Sequence, residues 1–499
     1  MTNPESRVLR QADAIRRRRT IWTVVPAAMV AAWMTLAAAS ASAQSLTEAL
    51  ATAYTTNPAL LAARNELRAQ DELVPQALSG WRPTIAGTAS AGATWADSRI
   101  GNNQSNPRSV GIDLTQPIYR GGRTVASTRQ AENLVLAQRA RLVGVEENVL
   151  FNSATAYMDV VRDEAVLELN INNEQVLARQ LAASRDRFEV GEITRTDVAQ
   201  SEARQAAARS GLASAQASLA ISRANYAAIV GQNPGELAPE PSLAGLLPGT
   251  VDEAFTRAEA NNPQVMASGY AERAARARVA AARAQRRPTV GLRGDLGYTG
   301  AETNGQGNQF GDYDRAVTGS VVATWPLFTG GLTSSEVRQA SARDDAARIA
   351  IEGARRNTLQ DVAQAWNQLL GARANLTANQ EQVNASQIAF EGTRQEMQVG
   401  LRTTLDVLNA EQELRQAELA LVTARHDEYV AAASVLAAMG DLEARNLAPS
   451  VPTYDPAKNF NQVKHSWGWV PWEYGVEALD RVGAPPISKD PKGSPVAGK

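Results

Sequence analysis

The chain has 499 residues, 44% of them hydrophobic, and its 50 Lys+Arg and 52 Asp+Glu leave a formal net charge of −2. This length allows one large domain or two to three ordinary ones, and the near-neutral charge argues against a nucleic-acid-binding protein, which usually shows a basic excess. With 0 cysteines and 2 histidines, the chain cannot form a disulfide or a thiolate-ligated metal site and has few places for a histidine-based metal site or catalytic triad. Nothing in the sequence resembles an active site, so we expect no metal, no cofactor and no enzymatic activity.

The first segment, residues 1–43, has the pattern of a secretory signal peptide. The cationic cluster Arg16 to Arg19 precedes an apolar run from Ile21 to Ala39 and the small-residue sequence Ala41-Ser42-Ala43. This pattern predicts export and cleavage before Gln44. The apolar run is also long enough for a retained membrane helix, which is the alternative.

The rest of the chain repeats itself once. The recurring sequences, first copy before second, are Asn57-Pro58 and Asn262-Pro263, Arg82-Pro83-Thr84 and Arg287-Pro288-Thr289, Gly121-Gly122 and Gly330-Gly331, and Val190-Gly191 and Val399-Gly400. Because the order and spacing are kept, we predict a first repeat over residues 44–250 and a second over residues 251–446.

Each repeat is predicted to contain one β-hairpin. From Thr84 to Trp95 every second residue is apolar, and the same alternation marks three more segments, which predicts strands at about 84–98, 108–119, 289–300 and 314–328. Aromatic residues lie near the strand ends, as in the interfacial girdle of a membrane barrel. A soluble sandwich is the alternative, but no further strands are predicted that could supply its second sheet.

Four such strands cannot close a barrel by themselves. After residue 43 no apolar run of about eighteen residues recurs, so a further membrane crossing must use strands. Closed barrels begin at about eight strands and an open edge is not tolerated in lipid. Several copies must therefore pool their strands: two would give a filled eight-stranded barrel, and three a twelve-stranded barrel with a lumen.

Long helices are predicted between the hairpins. Proline is absent from Arg123 to Val230 and from Leu332 to Met439, and the composition favours helix, so we predict helical hairpins at 123–231 and 332–440 that turn at Val190-Gly191 and Val399-Gly400. At about 1.5 Å per residue the longer helices reach on the order of 100 Å. Helices alone would equally suit a coiled-coil rod, but here each follows directly on a membrane hairpin, which favours a tube.

These features resemble the TolC family of outer-membrane efflux and secretion channels over about residues 45–446. The resemblance rests on the doubled motifs above, on their order, and on the strand-to-helix sequences at residues 116–122 and 325–331. It implies an α+β membrane protein in the Gram-negative outer membrane: a homotrimer whose four strands per chain form a twelve-stranded β-barrel, continued by a helical periplasmic tunnel. It also implies a passive conduit for multidrug efflux or type I secretion that docks a periplasmic adaptor and an inner-membrane RND or ABC transporter.

The resemblance further implies roles for residues at the helix turns. By their match to the family's turns, Thr196, Asp197 and Arg402 would form a periplasmic gate and Asp406 an acidic ring at the tunnel entrance. Val190, Gly191, Val399 and Gly400 would contact the adaptor. Two residues depart from the family pattern: Asn409 stands where a second ring aspartate is expected, and Met397 replaces a gate tyrosine.

The tail, residues 447–499, holds all the lysines and a tryptophan cluster. We expect it to be poorly ordered over much of its length, with the tryptophans docked on the tunnel wall or bound to a partner or to peptidoglycan. The adjacent carboxylates Glu146-Glu147 and Asp344-Asp345 point apart on helices and are interpreted as solvated.

The alternative function is a non-transporting coiled-coil scaffold anchored in the outer membrane.

Overall fold

The computed structural model describes residues 44–99, 101–303, 313–447, 453–464, 468–482 and 484. The predicted signal peptide lies outside the described residues, as do residues 485–499 of the predicted tail. The helices are α1 (Leu46–Thr56), α2 (Pro58–Asp71), α3 (Leu73–Leu78), α4 (Arg123–Glu189), α5 (Arg195–Val230), α6 (Val251–Asn261), α7 (Pro263–Ala284), α8 (Leu332–Gln398), α9 (Thr404–Met439), α10 (Ala444–Leu447), α11 (Pro456–Lys464) and α12 (Glu473–Val482), and a short 3-10 helix spans Ser79–Trp81. The strands are β1 (Thr84–Ala91), β2 (Thr94–Ser98), β3 (Gly101–Tyr119), β4 (Thr289–Thr303) and β5 (Asp314–Thr324).

The five strands form one antiparallel sheet in the order β1-β3-β4-β5, with β2 also paired to β3. β1 and β2 keep one continuous register on β3, from Thr84 opposite Thr115 to Ser98 opposite Gly101. They are separated where Gly92 faces Pro107: the Gly92 amide donates to the Pro107 carbonyl, but proline has no N–H to return the bond. The edges of the sheet are thus one interrupted strand, β1 with β2, and β5.

Two strand boundaries differ from the sequence prediction. β3 begins at Gly101 rather than near 108, because the polar run from Gly101 to Pro107, which lacks the apolar alternation, pairs with β2 on one side and, from Ser105 onward, with β4 on the other. β5 ends at Thr324 rather than near 328, just before Pro326, which has no amide to continue a ladder.

The register sorts the side chains of the sheet into two unlike faces, because cross-strand partners point to the same side. One face is apolar and carries Ile85, Val110, Ile112, Leu114, Leu292, Leu296, Val317 and Val321. The other carries Thr84, Thr88, Asp113, Thr115, Arg293, Asp295, Thr318 and Ser320. Both faces are largely open in a single chain, and Ile85 is 72% exposed; every named strand belongs to this sheet, so a sandwich partner is missing from the described residues.

Two long helical hairpins account for most of the molecule. α4 and α8 have 67 residues each, and α5 and α9 have 36 each. α4 packs against α5, α8 packs against α9, and α7 lies between α4 and α8. Along the described part of the chain, no helix combines the length and the apolar character that crossing a membrane as a helix requires.

The doubled Asn-Pro motif joins each short helix pair to the end of a hairpin. Asn57 accepts a hydrogen bond from the Ala59 amide over 2.9 Å and so caps α2, while its own amide group donates to the Ile229 carbonyl near the end of α5 over 2.9 Å. Asn262 makes the corresponding bonds to the Gln264 amide and to the Ala438 carbonyl of α9. The prolines that follow lie in the first turn of their helices, where a backbone N–H has no acceptor within the helix, so its absence breaks no hydrogen bond.

The main core lies where these short helices meet the hairpins. Tyr157 of α4 and Tyr226 of α5 are fully buried there, and the Tyr157 hydroxyl donates to the Gln44 carbonyl over 3.0 Å. Burial raises the pKa of Tyr157 to about 12, so the hydroxyl keeps its proton and acts as a donor. The core thereby joins the backbone at Gln44 to the long helix α4.

The described part of the tail is more ordered than the sequence suggests. α11 packs on α2 and α3, and α12 packs on β3 and the 3-10 helix. The expectation of disorder was wrong for residues 456–464 and 473–482. It failed because the helical pattern here is short and lies among prolines and tryptophans, and because the contacts that stabilise it come from distant parts of the chain.

Candidate functional site

The turns between the long helices have the same backbone in both hairpins. At the end of α4 the Glu192 amide donates to the Arg187 carbonyl and the Gly191 amide to the Phe188 carbonyl, over 2.9 and 3.0 Å. At the end of α8 Leu401 and Gly400 make the same pair of bonds with Glu396 and Met397. This is the Schellman pattern of helix ends, and it needs a left-handed residue, which Gly191 and Gly400 supply with φ of 81° each.

The residues predicted to contact an adaptor form the outer surface of these turns. Val190 and Val399 are 72% and 71% exposed. No heavy atom of the described residues lies within 4 Å of where a Cβ on Gly191 or Gly400 would stand. Each turn therefore presents an apolar side chain and an open stretch of backbone to whatever docks there.

The following helices begin with capping boxes that use two of the predicted site residues. The Asp197 carboxylate accepts hydrogen bonds from the Thr194 amide and hydroxyl over 2.9 and 2.8 Å, and Asp406 accepts the same bonds from Thr403 over 3.0 and 2.8 Å. The bonds from the threonine amide and then from its hydroxyl lower the pKa of each aspartate. Both carboxylates are therefore ionised and fixed in direction, as a gate or a ring of charge requires.

Arg402 also has a partner inside its own turn. Its Nε donates to Glu396 over 2.9 Å, and this bond raises the pKa of Arg402. Thr196 is exposed beside Asp197. In a single chain Asp197 and Arg402 thus bond locally rather than with each other, and the gate that would join them across neighbouring helices stays a prediction.

A link between the two hairpins lies close to these turns. Arg204 of α5 donates to the side-chain oxygen of Asn409 of α9 over 2.9 Å, and Leu177, Ala208 and Leu408 form a small buried cluster beside it. Sequence reasoning singled out Asn409 only as a departure from the family pattern and missed Arg204 and Glu396. The capping boxes did have a signal, Thr-x-x-Asp in both turns, whereas the partners of Arg204 and Arg402 follow no local spacing rule.

The strand-to-helix connections form the second region of interest, and we call residues 116–122 the first joint and residues 325–331 the second joint. Both end in two left-handed glycines, with φ of 69° and 80° at Gly121 and Gly122 and 61° and 88° at Gly330 and Gly331. Only glycine adopts such a pair without strain, so the sequence pattern sets the bend from strand into helix.

The tail holds the first joint. Asp480 of α12 is fully buried and accepts hydrogen bonds from the backbone amides of Arg120 and Gly122, each over 2.8 Å, and from Nε1 of Trp81 over 3.1 Å. Beside it Arg82 forms a buried ion pair with Glu473, with Nε 3.0 Å from the carboxylate. Trp472 Nε1 donates to Gln116 over 3.0 Å.

The acidic side chains were the remaining candidates for a chemical site. The described residues contain no group of three or more His, Cys, Asp or Glu side chains placed to hold a metal ion. The interpretation of Glu146-Glu147 as solvated was wrong: Glu147 is only 5% exposed, and burial, with Glu443, Glu146 and Asp441 nearby, raises its pKa to about 9. Glu146 accepts the Ala444 amide over 3.1 Å, so the pair joins α4 to the end of the second hairpin.

Comparison with known proteins gives concordant matches. Residues 49–232 and 254–441 match the family described as outer membrane efflux protein. The chain is 36% identical over 446 residues to the outer membrane efflux protein BepC of Brucella suis, covering 89% of this chain and 96% of that relative. It is 26% identical to the alkaline protease secretion protein AprF of Pseudomonas aeruginosa, over 67% of this chain and 70% of that relative. The crystal structure of the outer membrane protein VceC of Vibrio cholerae has the same fold, with a TM-score of 0.66 at 23% identity over 79% of this chain and 96% of that one.

Proposed function

Because the chain belongs to the outer membrane efflux protein family, as its family match and its likeness to BepC show, we propose that three copies form one outer-membrane channel with a periplasmic tunnel. The protein is an outer-membrane protein of the TolC type, and its relatives are channels rather than enzymes. The tunnel would carry small molecules, proteins or both outward from an inner-membrane RND or ABC transporter reached through a periplasmic adaptor. Relatives named for efflux and for protease secretion support both kinds of cargo.

The observation that carries the proposal is the sheet with two free edges and two unlike faces. Its apolar face is open in one chain, and its edge strands β1 and β5 lack a partner strand among the described residues. In lipid an unpaired edge leaves backbone N–H and C=O groups without hydrogen bonds. Pairing β5 of one copy with β1 of the next satisfies them, turns the apolar face to lipid and encloses the polar face.

Three copies suit the proposal better than two. Counting β1 with β2 as one strand, each copy supplies four, so two copies would make a barrel filled by its own side chains and three a barrel with a lumen. The polar face carries Asp113, Arg293 and Asp295, charged groups that need water around them. A water-filled lumen supplies that water.

The helical hairpins would extend the lumen into the periplasm, with the turns at Val190–Thr194 and Val399–Thr403 at the inner end. At about 1.5 Å per residue, α4 and α8 are each on the order of 100 Å long, a length that suits the distance between two membranes. The predicted gate at Thr196, Asp197 and Arg402 and the ring at Asp406 would then lie at the end that meets the pump and adaptor.

The test is to purify the protein in detergent, measure its native mass and record conductance in planar bilayers. A mass of three chains and stable conductance are expected, together with dye accumulation or loss of protein secretion in a deletion strain. A monomeric mass would exclude a pooled barrel. A trimer that conducts nothing even after gate substitutions, in a strain without a transport defect, would favour the coiled-coil scaffold instead.

A further inference from the structure

The two joints share a sequence pattern but differ in what covers them. At the first joint the Gly121 carbonyl accepts a bond from Nη1 of Arg287 over 3.0 Å, and a Cβ on Gly122 would stand 2.8 Å from Ala484 of the tail. At the second joint no described heavy atom lies within 4 Å of where a Cβ on Gly330 or Gly331 would stand. Leu327 and Phe328 there are 81% and 90% exposed. Within one chain, the first joint is therefore covered by other residues and the second joint is exposed.

The doubled sequence indicates which part of a neighbouring copy reaches the second joint. Within one chain, the end of α7 lies between the two joints: Arg287 bonds to the first joint, and the Arg286 carbonyl accepts a bond from Trp325 of the second joint over 3.3 Å. The first-repeat counterpart of this segment is Ser79–Arg82. It contacts the first joint from the other side, since Arg120 donates to the Gly80 carbonyl. In a ring of copies, Ser79–Arg82 therefore also faces the second joint of the next copy.

Arg82 and its counterpart Arg287 nevertheless have different partners. Arg287 donates to a joint carbonyl, whereas Arg82 donates through Nε and Nη2 to Glu473 of α12, over 3.0 and 3.4 Å. Arg287 bonds to the first joint, so by the repeat Arg82 would bond to the second joint of a neighbouring copy. Its side chain is instead directed to Glu473 of the tail, so this bond between copies is not made. α12 bonds to this segment through Asp480 and Glu473, which accept from Trp81 and Arg82.

The outer face of α12 suits an apolar partner. Its inner face, with Glu473, Val476 and Asp480, is buried on the first joint. Its other side exposes Tyr474, Leu479 and Val482. Contacts within the chain use only the buried side of α12. Apolar residues grouped on its exposed side indicate a second contact surface.

We propose that α12 of each copy packs on the second joint of the adjacent copy, where Tyr474, Leu479 and Val482 cover Leu327, Phe328 and the adjoining Leu332 of α8, which is 62% exposed. The partner is a second copy of this chain, and the contact seals the boundary between copies at the end of the sheet where the strands become helices. The inference rests on the proposed ring of copies and adds to it an interface that involves the tail. A lipid surface could cover the same apolar residues, and the experiment separates the two.

The absence of native cysteine allows a direct test. Two singly substituted chains with different tags, Leu479→Cys and Phe328→Cys, are expressed together and treated in membranes with a short bismaleimide. We expect a crosslinked pair that carries both tags, and the same from Val482→Cys with Phe328→Cys. The matched control pairs Leu479→Cys with Leu401→Cys, an equally apolar position that is 75% exposed at the far turn, and should give no mixed pair.

The outcomes distinguish this inference from the proposed function. A trimeric mass without any mixed crosslink from Leu479→Cys or Val482→Cys would overturn the tail interface and leave the channel proposal intact. A monomeric mass would overturn both. A fluorophore on Leu479→Cys that is strongly quenched by brominated lipid in the intact trimer would also overturn the interface, because lipid would then occupy the face assigned to the neighbouring copy.

Discussion

Arg204 of α5 donates a hydrogen bond to Asn409 of α9 over 2.9 Å. This bond ties the shorter helices of the two hairpins together close to the turns where the gate is predicted. In the family pattern this position would carry a ring aspartate. Asparagine lacks the charge of aspartate but still accepts a hydrogen bond from arginine, so the two hairpins are linked at this position.

Asn409→Ala should raise the conductance of the isolated channel. One hydrogen bond to a charged group contributes about 1.5–3 kcal/mol when well formed and less at an exposed site, and a trimer would lose three. Asn409→Asp is the matched control, since it keeps an acceptor for Arg204 and should conduct no better than the unaltered protein. Single-channel recordings in planar bilayers measure both. Equal conductance of Asn409→Ala and the unaltered protein would show that this bond does not restrain opening.

Asp197→Ala and Arg402→Ala should each raise conductance if these residues hold the gate closed. The local bonds in the structure supply the controls. Thr194→Ser alters the first turn but keeps the hydroxyl that bonds to Asp197, and Glu396→Ala frees Arg402 from its partner in the turn. Both controls should leave the channel closed in the same recordings. Unchanged conductance in Asp197→Ala and Arg402→Ala would remove both residues from the gate.

The turns show how far local sequence goes. Glycine at the helix end and Thr-x-x-Asp at the next helix start predict the backbone of both turns, because each motif satisfies its own helix terminus. The sequence could not predict that Arg402 would bond to Glu396, or Arg204 to Asn409. The Arg204–Asn409 pair depends on how two helices are rotated against each other, and the Arg402–Glu396 pair depends on the path of the turn. Neither is set by a local spacing rule.

Asp113→Asn with Asp295→Asn should lower the preference of the open channel for cations. The two aspartates stand opposite each other on the polar face of neighbouring strands, and Thr318 donates to Asp295 over 3.0 Å. Three copies would bring six carboxylates into one level of the lumen, a concentration of like charge that attracts cations. The reversal potential in a salt gradient reports the change. Asp97→Asn, in β2, is the control, and an unchanged reversal potential would place the polar face outside the ion path.

The protein should become less stable to unfolding as the pH rises from about 4.5 to about 9, because of the buried carboxyl group of Glu147. Its pKa is raised from 4.5 to about 9 by burial and by Glu443, Glu146 and Asp441, so the folded protein holds a proton that the unfolded chain releases above about pH 4.5. Stability from this group is complete below that pH and declines as the pH approaches 9. Glu147→Gln cannot ionise and should flatten the decline, measured as the unfolding temperature at pH 6 and pH 9. Exposed Glu352→Gln is the control, and an equal decline in Glu147→Gln would assign the pH dependence to other groups.

The tail marks the limit of sequence reasoning at longer range. Its composition, with all the lysines and several prolines, indicates disorder, and its helical pattern is short. What orders it is chemistry that only the fold brings together: the backbone amides of Arg120 and Gly122 point outward at the bend that two left-handed glycines create, and Asp480 accepts both. The glycine pair indicates the bend, but no local pattern indicates that Asp480, about 360 positions further along the chain, accepts the amides exposed there.

Removing one member of the Arg82–Glu473 ion pair should lower the free energy of unfolding strongly, whereas replacing both residues by apolar ones should lower it little. The two side chains are only 7% and 9% exposed, so Arg82→Met would leave a buried carboxylate without its cation and lower the free energy of unfolding by about 3–5 kcal/mol. Arg82→Met combined with Glu473→Leu removes both charges and should recover most of that loss, because an apolar pair pays no desolvation. Exposed Arg355→Met, which breaks the surface pair with Glu352, should change stability by less than about 1 kcal/mol. Thermal unfolding in detergent measures all three. If the double variant is as unstable as Arg82→Met, removing the unpaired carboxylate has not restored stability. The ion pair would then hold the first joint in place in a way that apolar packing cannot replace.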